Sequence, residues 1–566
     1  MRSVPLLFLL FLWAAPVGAA PTVLATWDGQ HAGEQFGIAL ALGGDANGDG
    51  LADLAVGAST NDEQGQNAGK VSIYFGRVTP LSTPDLVLYG SPGSFFGGAV
   101  AWVGDVNGDG YDDLLVGAFH DSQGGADAGK AYLFLGGSPM DTVPDLVLVG
   151  AVAGGWFGHA VSAAGDINGD HLADFMIGAP MAGNGSVSVY FGHNPPDGTP
   201  HLVLNGASPG DRFGYSLAGP GNVDGIPGDD ILVGAPKVTV AHTWQGAAYL
   251  YSGGTGFGAV PELTILGGAA GDQLGFSVAG AGDVNGDGSP DFLVGAPYHN
   301  KGQIIDAGAA YVYYGGALLD ANADFVIEGS AQDDNLGESV AGCGDVTGSG
   351  YSAFVAGAPL TDVGGSDAGT VVLSPGGNPP RTTDLIYYRG EAAGDELGYA
   401  VAGGAGISGL SFAGDNKPDF AAGAWAHGVG GKAYLYGIAA DPTGVASPLS
   451  PAGGIAGARA RLAVIPNPGR TFSIEMPWAG APSKGARSLS GDNGAAVVPP
   501  NIPLVLRILD ASGALVRSLS LPLGPNQRVE WDGRDLSGVP VASGTYLLAL
   551  EGAGKVWATG KLGVLR

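Results

Sequence analysis

"GDVNGDGYDDLLVGAF", Gly104–Phe119, places Asp105, Asn107 and Asp109 at alternate positions, follows them with Gly110, and runs straight into an apolar stretch. Alternating Asp and Asn ahead of a glycine is how a helix-flanked calcium loop begins, but such a loop needs a bidentate acid at its twelfth position. Here that position is Val116, inside "DLLVGA", which reads as a strand. The segment is therefore a turn between two β-strands. Asp113, at the ninth position, replaces the distant acid, and the backbone carbonyl of Tyr111 completes an all-oxygen donor set suited to Ca²⁺. Gly108 and Gly110 let the chain fold tightly enough to aim successive side chains inward.

The phrase recurs. An "FG" or "LG" begins at Phe36, Phe96, Phe157, Phe213, Leu274, Leu336 and Leu397, spaced 60, 61, 56, 61, 62 and 61 residues apart. In the first six copies the loop opens nine residues later, and a "VGA"-like strand, a "GKAYLFLGG"-like strand and a "PDLVLVG"-like strand follow. Four short strands per repeat, punctuated by Gly and Pro and without helical periodicity, describe a propeller blade. The expected fold is all-β: a seven-bladed β-propeller followed by a small Ig-like β-sandwich. The seventh copy ends at "GKAYLYGIAA" without its fourth strand, while an unmatched strand, "PTVLATWDG", precedes the first "FG". Thr22 to Thr26 is therefore expected to complete the last blade and close the ring, hiding a sheet edge.

These repeats resemble the FG-GAP repeat, the unit of the integrin α-subunit β-propeller and its bacterial relatives, over about residues 22–440. The resemblance implies that the "FG" approaches and "GAP" loops form a ligand-binding face, opposite the calcium loops.

Four loops keep the whole donor set: Asp45, Asn47, Asp49, Leu51 and Asp53; Asp105, Asn107, Asp109, Tyr111 and Asp113; Asp166, Asn168, Asp170, Leu172 and Asp174; and Asp283, Asn285, Asp287, Ser289 and Asp291, the residues at the seventh position contributing their carbonyls. In the third loop His171 stands where the second glycine belongs. The fourth repeat keeps Asn222, Asp224 and Asp230 but has Ile226 at a ligand position, and the sixth has Asp345, Thr347 and Ser349 but ends in Ala353. The seventh, "GISGLSFAGDNKPDF", is stretched, which leaves Asp415 and Asp419 out of register. About four Ca²⁺ are expected, mainly structural, because crowded carboxylates oppose folding unless a cation is present.

Net charge −30, from 23 Lys and Arg against 53 Asp and Glu, argues against nucleic acid and anionic membrane as partners. Residues 1–19, "MRSVPLLFLLFLWAAPVGA", have one basic residue, an apolar run and small residues at the end, as in a secretory signal. No later stretch is long enough to span a bilayer, so the expected location is secreted or cell-surface. The single cysteine, Cys343, aligns with Ala164 and Ala281 and is expected to be a buried, inert thiol.

On the GAP loops, polar groups beside aromatics mark ligand-face candidates: Asn61, Asp62, His120, Asp121, His242, Trp244, Tyr298, His299 and Asp362. No HExxH, phosphate-binding glycine loop or Cys-rich metal cluster occurs. "GFSVAG" at Gly275 and "GESVAG" at Gly337 fall in register with "GGAVAW" and "GHAVSA", so they are strands and not nucleophile elbows. No catalytic residues are assigned.

Residues 20–440 thus form the propeller, 441–457 a Pro/Gly/Ser/Ala linker, and 458–566 a β-sandwich in which Ala481–Pro500 reads as an unstructured insertion. Pro466-Asn467-Pro468, Trp531-Asp532-Gly533-Arg534 and "VASGTYLLAL" resemble the FlgD-like Ig domain at the C-terminus of exported bacterial proteins, which implies a sorting or attachment role. The leading expectation is extracellular recognition or adhesion toward a protein or glycan. A carbohydrate-active enzyme with a site on the propeller axis and a structural surface-layer component are the alternatives.

Overall fold

The computed structural model describes residues 22–316, 319–403, 411–412 and 417–437, together with the backbone strands of the C-terminal part. The expected leader, linker and 481–500 insertion lie outside the described residues. The chain divides into two compact units, Met1–Ala440 and Asp441–Arg566.

The first unit is a seven-bladed propeller of four-stranded antiparallel sheets. Blade 1 runs from the inner strand Phe36–Gly44 through Asp53–Ala58 and Lys70–Tyr74 to the outer strand Leu86–Tyr89. Its second and third strands are buried along their whole length, which explains the unbroken apolar run "DLAVGA". The outer strand alternates and buries only Leu88. The core lies between blades. Val71, Ile73 and Leu88 pack with Phe96, Leu114, Val116 and Phe134 of the next blade. Burial of each such side chain contributes roughly 1.5–3 kcal/mol.

Glycine at both halves of the FG-GAP phrase has a steric cause. The second residue of each "FG" holds a positive φ, +82° at Gly97 and +85° at Gly158. Its N–H donates to the carbonyl of the "GA" glycine in its own blade, as in Gly97 to Gly117 at 3.0 Å and Gly158 to Gly178 at 3.0 Å. Its own carbonyl is pressed against the "GA" glycine of the preceding blade. A Cβ on Gly57 would lie 2.0 Å from the Gly97 oxygen, and one on Gly117 2.0 Å from that of Gly158. The contact recurs at every blade boundary, ending with Gly423 against Gly37, where the ring closes.

Closure also uses the N-terminal strand. Thr22–Asp28 pairs antiparallel with Lys432–Gly437, from Thr22 opposite Gly437 to Asp28 opposite Lys432. The strand continues two residues beyond the expected Thr26. Trp27 anchors it, 3% exposed, packed 4.7 Å from the Tyr74 ring of blade 1 and donating its indole N–H to the Leu81 carbonyl at 2.7 Å.

The second unit is also β-structure. One sheet joins Ile465–Pro466, Phe472–Glu475 and Arg528–Trp531, and the other joins Leu515–Leu521, Leu504–Leu509, Gly544–Gly552 and Lys555–Val564. Among the described residues no helix is long and apolar enough to cross a membrane.

Replacing Gly117 with Ala should destabilise the propeller by about 2–4 kcal/mol, because the Gly158 backbone on one side and the Ala99 methyl on the other block relaxation. Guanidinium unfolding of G117A would measure it. An unchanged midpoint would show that the blades can spread to admit a methyl group.

Candidate functional site

Strand order puts the hairpins between first and second strands on one face of the ring and the FG approaches and GAP loops on the other. Each face carries a distinct arrangement.

On the hairpin face each complete loop is folded by its own acids. Asp105 Oδ1 accepts from the N–H of Gly108 at 2.6 Å and Asp109 at 3.0 Å, and Oδ2 accepts from Gly110 at 2.8 Å. Asn107 Oδ1 accepts from Asp109 N–H at 2.8 Å, and Asp109 Oδ1 from Tyr111 N–H at 3.0 Å. In blade 3, His171 adopts φ +71° so that its N–H can reach Asp166 Oδ2 at 2.9 Å, the bond a glycine makes elsewhere. Left-handed backbone at a histidine is uncommon and carries a steric cost.

The ninth-position acids have a second duty that sequence reasoning missed. Asp113 is fully buried and bridges two backbone donors: Oδ2 accepts from Val106 N–H at 2.9 Å and Oδ1 from Gly136 N–H at 2.8 Å. Asp53, Asp174, Asp230 and Asp291 make the same pair of bonds. Burial, reinforced by the loop's other carboxylates, pushes Asp53 up to about 8, Asp113 and Asp174 to about 7 and Asp291 to about 6. Among the described residues no three His, Cys, Asp or Glu side chains already converge as a metal shell. The donor set nevertheless fits a hard cation: its side-chain and carbonyl donors are oxygen, and among the described residues no Lys or Arg pairs with the buried ninth-position carboxylates, which like charge crowds.

The incomplete loops differ physically. In blade 4 the Asn222 amide donates to the Ile226 carbonyl at 2.5 Å, while Ile226 itself is 52% exposed. In blade 6 an ammonium stands close by, since a Cβ on Gly348 would lie 3.2 Å from Lys417 Nζ. Blade 7 corrects the expected register. Asp419 Oδ2 accepts from Phe412 N–H at 2.8 Å, and the Ser411 carbonyl accepts from Ala52 N–H of blade 1 at 3.2 Å. Asp419 thus occupies the ninth position, and the stretch lies ahead of Ser411. Asp415 lies outside the described residues.

Neighbouring loops are chained. The first-position carbonyl of Asp45 accepts from Asp112 N–H, that of Asp105 from Ala173, that of Asp166 from Asp229, and that of Asp283 from Ser352, all within 3.2 Å. At the two remaining junctions, between blades 4 and 5 and between blades 6 and 7, the equivalent residues are Pro290 and Pro418, which have no N–H to give.

On the opposite face, residues following each "FG" gather where the inner strands converge on the axis. His159, Tyr215, Phe276, Glu338 and Tyr399 are all half-buried. Their rings form a chain, His159 to Tyr215 at 4.7 Å, Tyr215 to Phe276 at 5.0 Å and Phe276 to Tyr298 at 6.1 Å, while Tyr399 lies 5.7 Å from Trp425. Burial, then the neighbouring Glu396, pushes Glu338 up to about 7. Burial holds His159 neutral, down to about 4, with its Nδ1 unpartnered. Glu396 accepts from the Trp425 indole N–H at 2.9 Å. The result is an aromatic mouth with two carboxylates at its edge. The sequence reading found Tyr298 here but not the others. The residue after each "FG" was the signal available, because alternation along a strand meeting the axis must point it inward.

The remaining ligand-face candidates divide. Asn61 is fully buried, its amide donating to Glu34 at 2.6 Å, and Asp121 is buried against Lys130 at 3.1 Å. His299 is turned onto Asp272 at 3.4 Å, and His427 makes the equivalent pair with Asp395 at 2.9 Å. Asp62 and Asp362 accept from Asn67 and Asp367 N–H within their loops. His120 packs 5.3 Å from Trp156 and contacts Asp127 at 3.1 Å. His242 and Trp244 are exposed. Cys343 is buried, as its small counterparts required.

Comparison with known proteins agrees with this geometry. The FG-GAP repeat profile matches residues 36–74, 96–134, 157–190 and 274–313, the four blades whose loops are complete. The FlgD Ig-like domain profile matches residues 478–555. The chain is 35% identical over 215 residues to "Integrin alpha pat-2" of Caenorhabditis elegans, covering 34% of this chain and 17% of that protein. It is 32% identical over 236 residues to "Integrin alpha-5" of Xenopus laevis, covering 38% and 21%. It is also 35% identical over 181 residues to human "Phosphatidylinositol-glycan-specific phospholipase D", covering 29% and 21%. The chain thus spans about a fifth of the length of these relatives.

Because Asp230 is a buttress in a loop short of ligands, D230A should cost about 2 kcal/mol or more, from the stranded N–H groups of Val223 and Gly253. Thermal unfolding with and without calcium should show the same loss; a loss seen only with calcium would make Asp230 a ligand instead. The chain carries FG-GAP repeats related to those of integrin α subunits, folded as a seven-bladed propeller, and a FlgD Ig-like domain at its C-terminal end.

Proposed function

We propose that the chain is an exported recognition or adhesion protein whose propeller binds an extracellular protein partner through the axial mouth of its FG/GAP face. The aromatic ring with Glu338 and Glu396 at its edge is the observation that carries this. Tyr and Trp faces attract a cation, and a carboxylate held near its titration point supplies the opposite charge. The partner accordingly offers a Lys or Arg side chain to the mouth. The C-terminal unit is proposed as a sorting or attachment module.

Calcium is proposed at the four complete hairpins, held by Asp45, Asn47, Asp49, Leu51 and Asp53 and the corresponding residues of blades 2, 3 and 5. It would supply counter-charge to the loops. These residues orient their own backbone and hold the hairpin face rigid, so that the mouth opposite keeps its shape. Calorimetric titration should count about four ions. A chelator should lower stability by roughly 2.7 kcal/mol for each site filled at a hundredfold excess over its Kd. A stoichiometry of six or seven would show that the incomplete loops also bind.

The recognition reading is tested with an array of extracellular matrix proteins and glycans probed with the calcium-loaded chain. Y215A/Y399A and E338Q should each lose at least tenfold in affinity for the partner found. Glu338 is raised to about 7, so it ionises as pH climbs through that value, and binding of a cationic group should strengthen from pH 6 to pH 8. Binding indifferent to all three changes would remove the mouth from the interface.

The pairing of Glu338 with Glu396 also supports a second reading, a hydrolytic centre on the axis, since two neighbouring carboxylates, both raised by burial, can divide acid and base roles. Turnover of model glycosides, abolished equally by E338Q and E396Q, would favour it.

A further inference from the structure

Blade 4 breaks the pattern of its neighbours. In blades 1, 2, 5 and 6 the last turn of the GAP loop uses Asn67, Asp127, Asp306 and Asp367, all with φ between +49° and +53°. Asn and Asp are the side chains that accept this conformation at least cost. Blade 4 places Trp244 there, at φ +52°. Its backbone is pinned on both sides: its N–H donates to Thr239 Oγ1 at 3.0 Å, and its carbonyl accepts from Gln273 N–H of blade 5 at 3.1 Å. The ring gains no core burial in return, being 52% exposed. A bulky residue held in a disfavoured conformation at the surface points to a use for its ring.

One cation stands over it, and a second lies near the first. Lys237 Nζ lies 4.1 Å from the Trp244 ring centre, and the Arg212 guanidinium lies 6.0 Å from that of Tyr215. Burial, then the nearby Arg212, holds the Lys237 amine below its usual value, so the two positive groups share one environment. Lys70, Lys130 and Lys432, on blades 1, 2 and 7, are each neutralised by a carboxylate within 3.1 Å. Arg212 and Lys237 have no ion-pair partner among the described residues. The adjacent carboxylate, Asp211, is buried and accepts from Ser208 N–H at 3.0 Å. The GAP loop itself, residues 236–246, contains no acid. In a chain of net charge −30, two adjacent unpaired cations next to an exposed tryptophan form a local inversion of the field.

We infer that Arg212, Lys237 and Trp244 form a second recognition subsite, which takes an acidic segment of a protein partner, with carboxylates on the two cations and an apolar side chain on the indole. The planar guanidinium matches a carboxylate, and Trp with Arg is the pairing that anchors protein interfaces. Because Arg212 also faces Tyr215, the subsite is continuous with the axial mouth, which favours an extended polypeptide over a small acidic sugar. The inference rests on the recognition reading for the partner's being a protein, while the anion-binding subsite stands on its own geometry.

The test is fluorescence anisotropy with labelled hexaglutamate on the full calcium-loaded chain, with labelled hexalysine and hexaserine as controls and tetragalacturonate as the acidic sugar. Hexaglutamate should bind saturably and weaken as salt screens the charges. R212A/K237A should lose at least tenfold in affinity. Trp244→Asn restores the residue type used by other blades and should weaken binding while keeping or raising thermal stability. No binding of hexaglutamate, binding unchanged in R212A/K237A, or variant-sensitive binding of tetragalacturonate alone would each overturn the proposal. Variant-sensitive hexaglutamate binding without any array partner would sustain the subsite and count against the recognition reading. An array partner bound through the mouth while hexaglutamate fails would do the reverse.

Discussion

The contact between a glycine Cα of one blade and a carbonyl oxygen of the next governs this propeller. Seven times around the ring a "GA" glycine abuts the oxygen of the following "FG" glycine, close enough that no side chain fits between. That approach fixes how near the inner strands come to the axis. It thereby sets the diameter of the mouth and forces the residue after each "FG" into it. In blades 4, 5 and 6 the first residue of the inner strand reinforces the contact: Ser216, Ser277 and Ser339 donate to the next blade's "FG" carbonyl at 2.7–2.9 Å. Packing between blades, the clustering of aromatics and the crowding that raises Glu338 all descend from this one spacing.

The hairpin loops divide their labour by position. The ninth-position acid is a structural peg, which explains why blades 4 and 7 retain Asp230 and Asp419 although their other positions have changed. Where the peg is lost, at Ala353, the loop also carries Thr347 and Ser349 in place of the amide and carboxylate of the complete loops, and an ammonium from the next blade lies beside it. Complete loops concentrate negative charge, and the carbonyl-to-N–H links tie each loop to its neighbour in the next blade.

The sequence discloses whatever repeats. Strand order, blade number, the closing strand and the two faces follow from seven copies of one phrase and the phase in which they begin. What stayed hidden depends on partners distant in sequence. Asn61, Asp121 and His299 look like surface groups in their loops, and they turn inward because Glu34, Lys130 and Asp272 wait for them there. The register of Asp419 is hidden because the extra residues fall before the loop, where no motif marks its start. The axial residues differ in type from blade to blade, so they form no motif in one dimension; only their shared offset from "FG" unites them. Trp244 is legible as an exposed aromatic, but its left-handed backbone is visible only beside the Asn and Asp of its counterparts.

The seam has a mechanical consequence. Tension passed along the chain beyond Gly437 leaves the propeller through Lys432–Gly437, and that strand is not at an edge: it is flanked by Phe420–Ala424 on one side and Thr22–Asp28 on the other. A pull on it must shear two ladders together, whereas a terminal strand at the rim could be peeled away one bond pair at a time. Borrowing the outer strand from before the first blade therefore turns the exit strand of the propeller into a clasp held by two ladders.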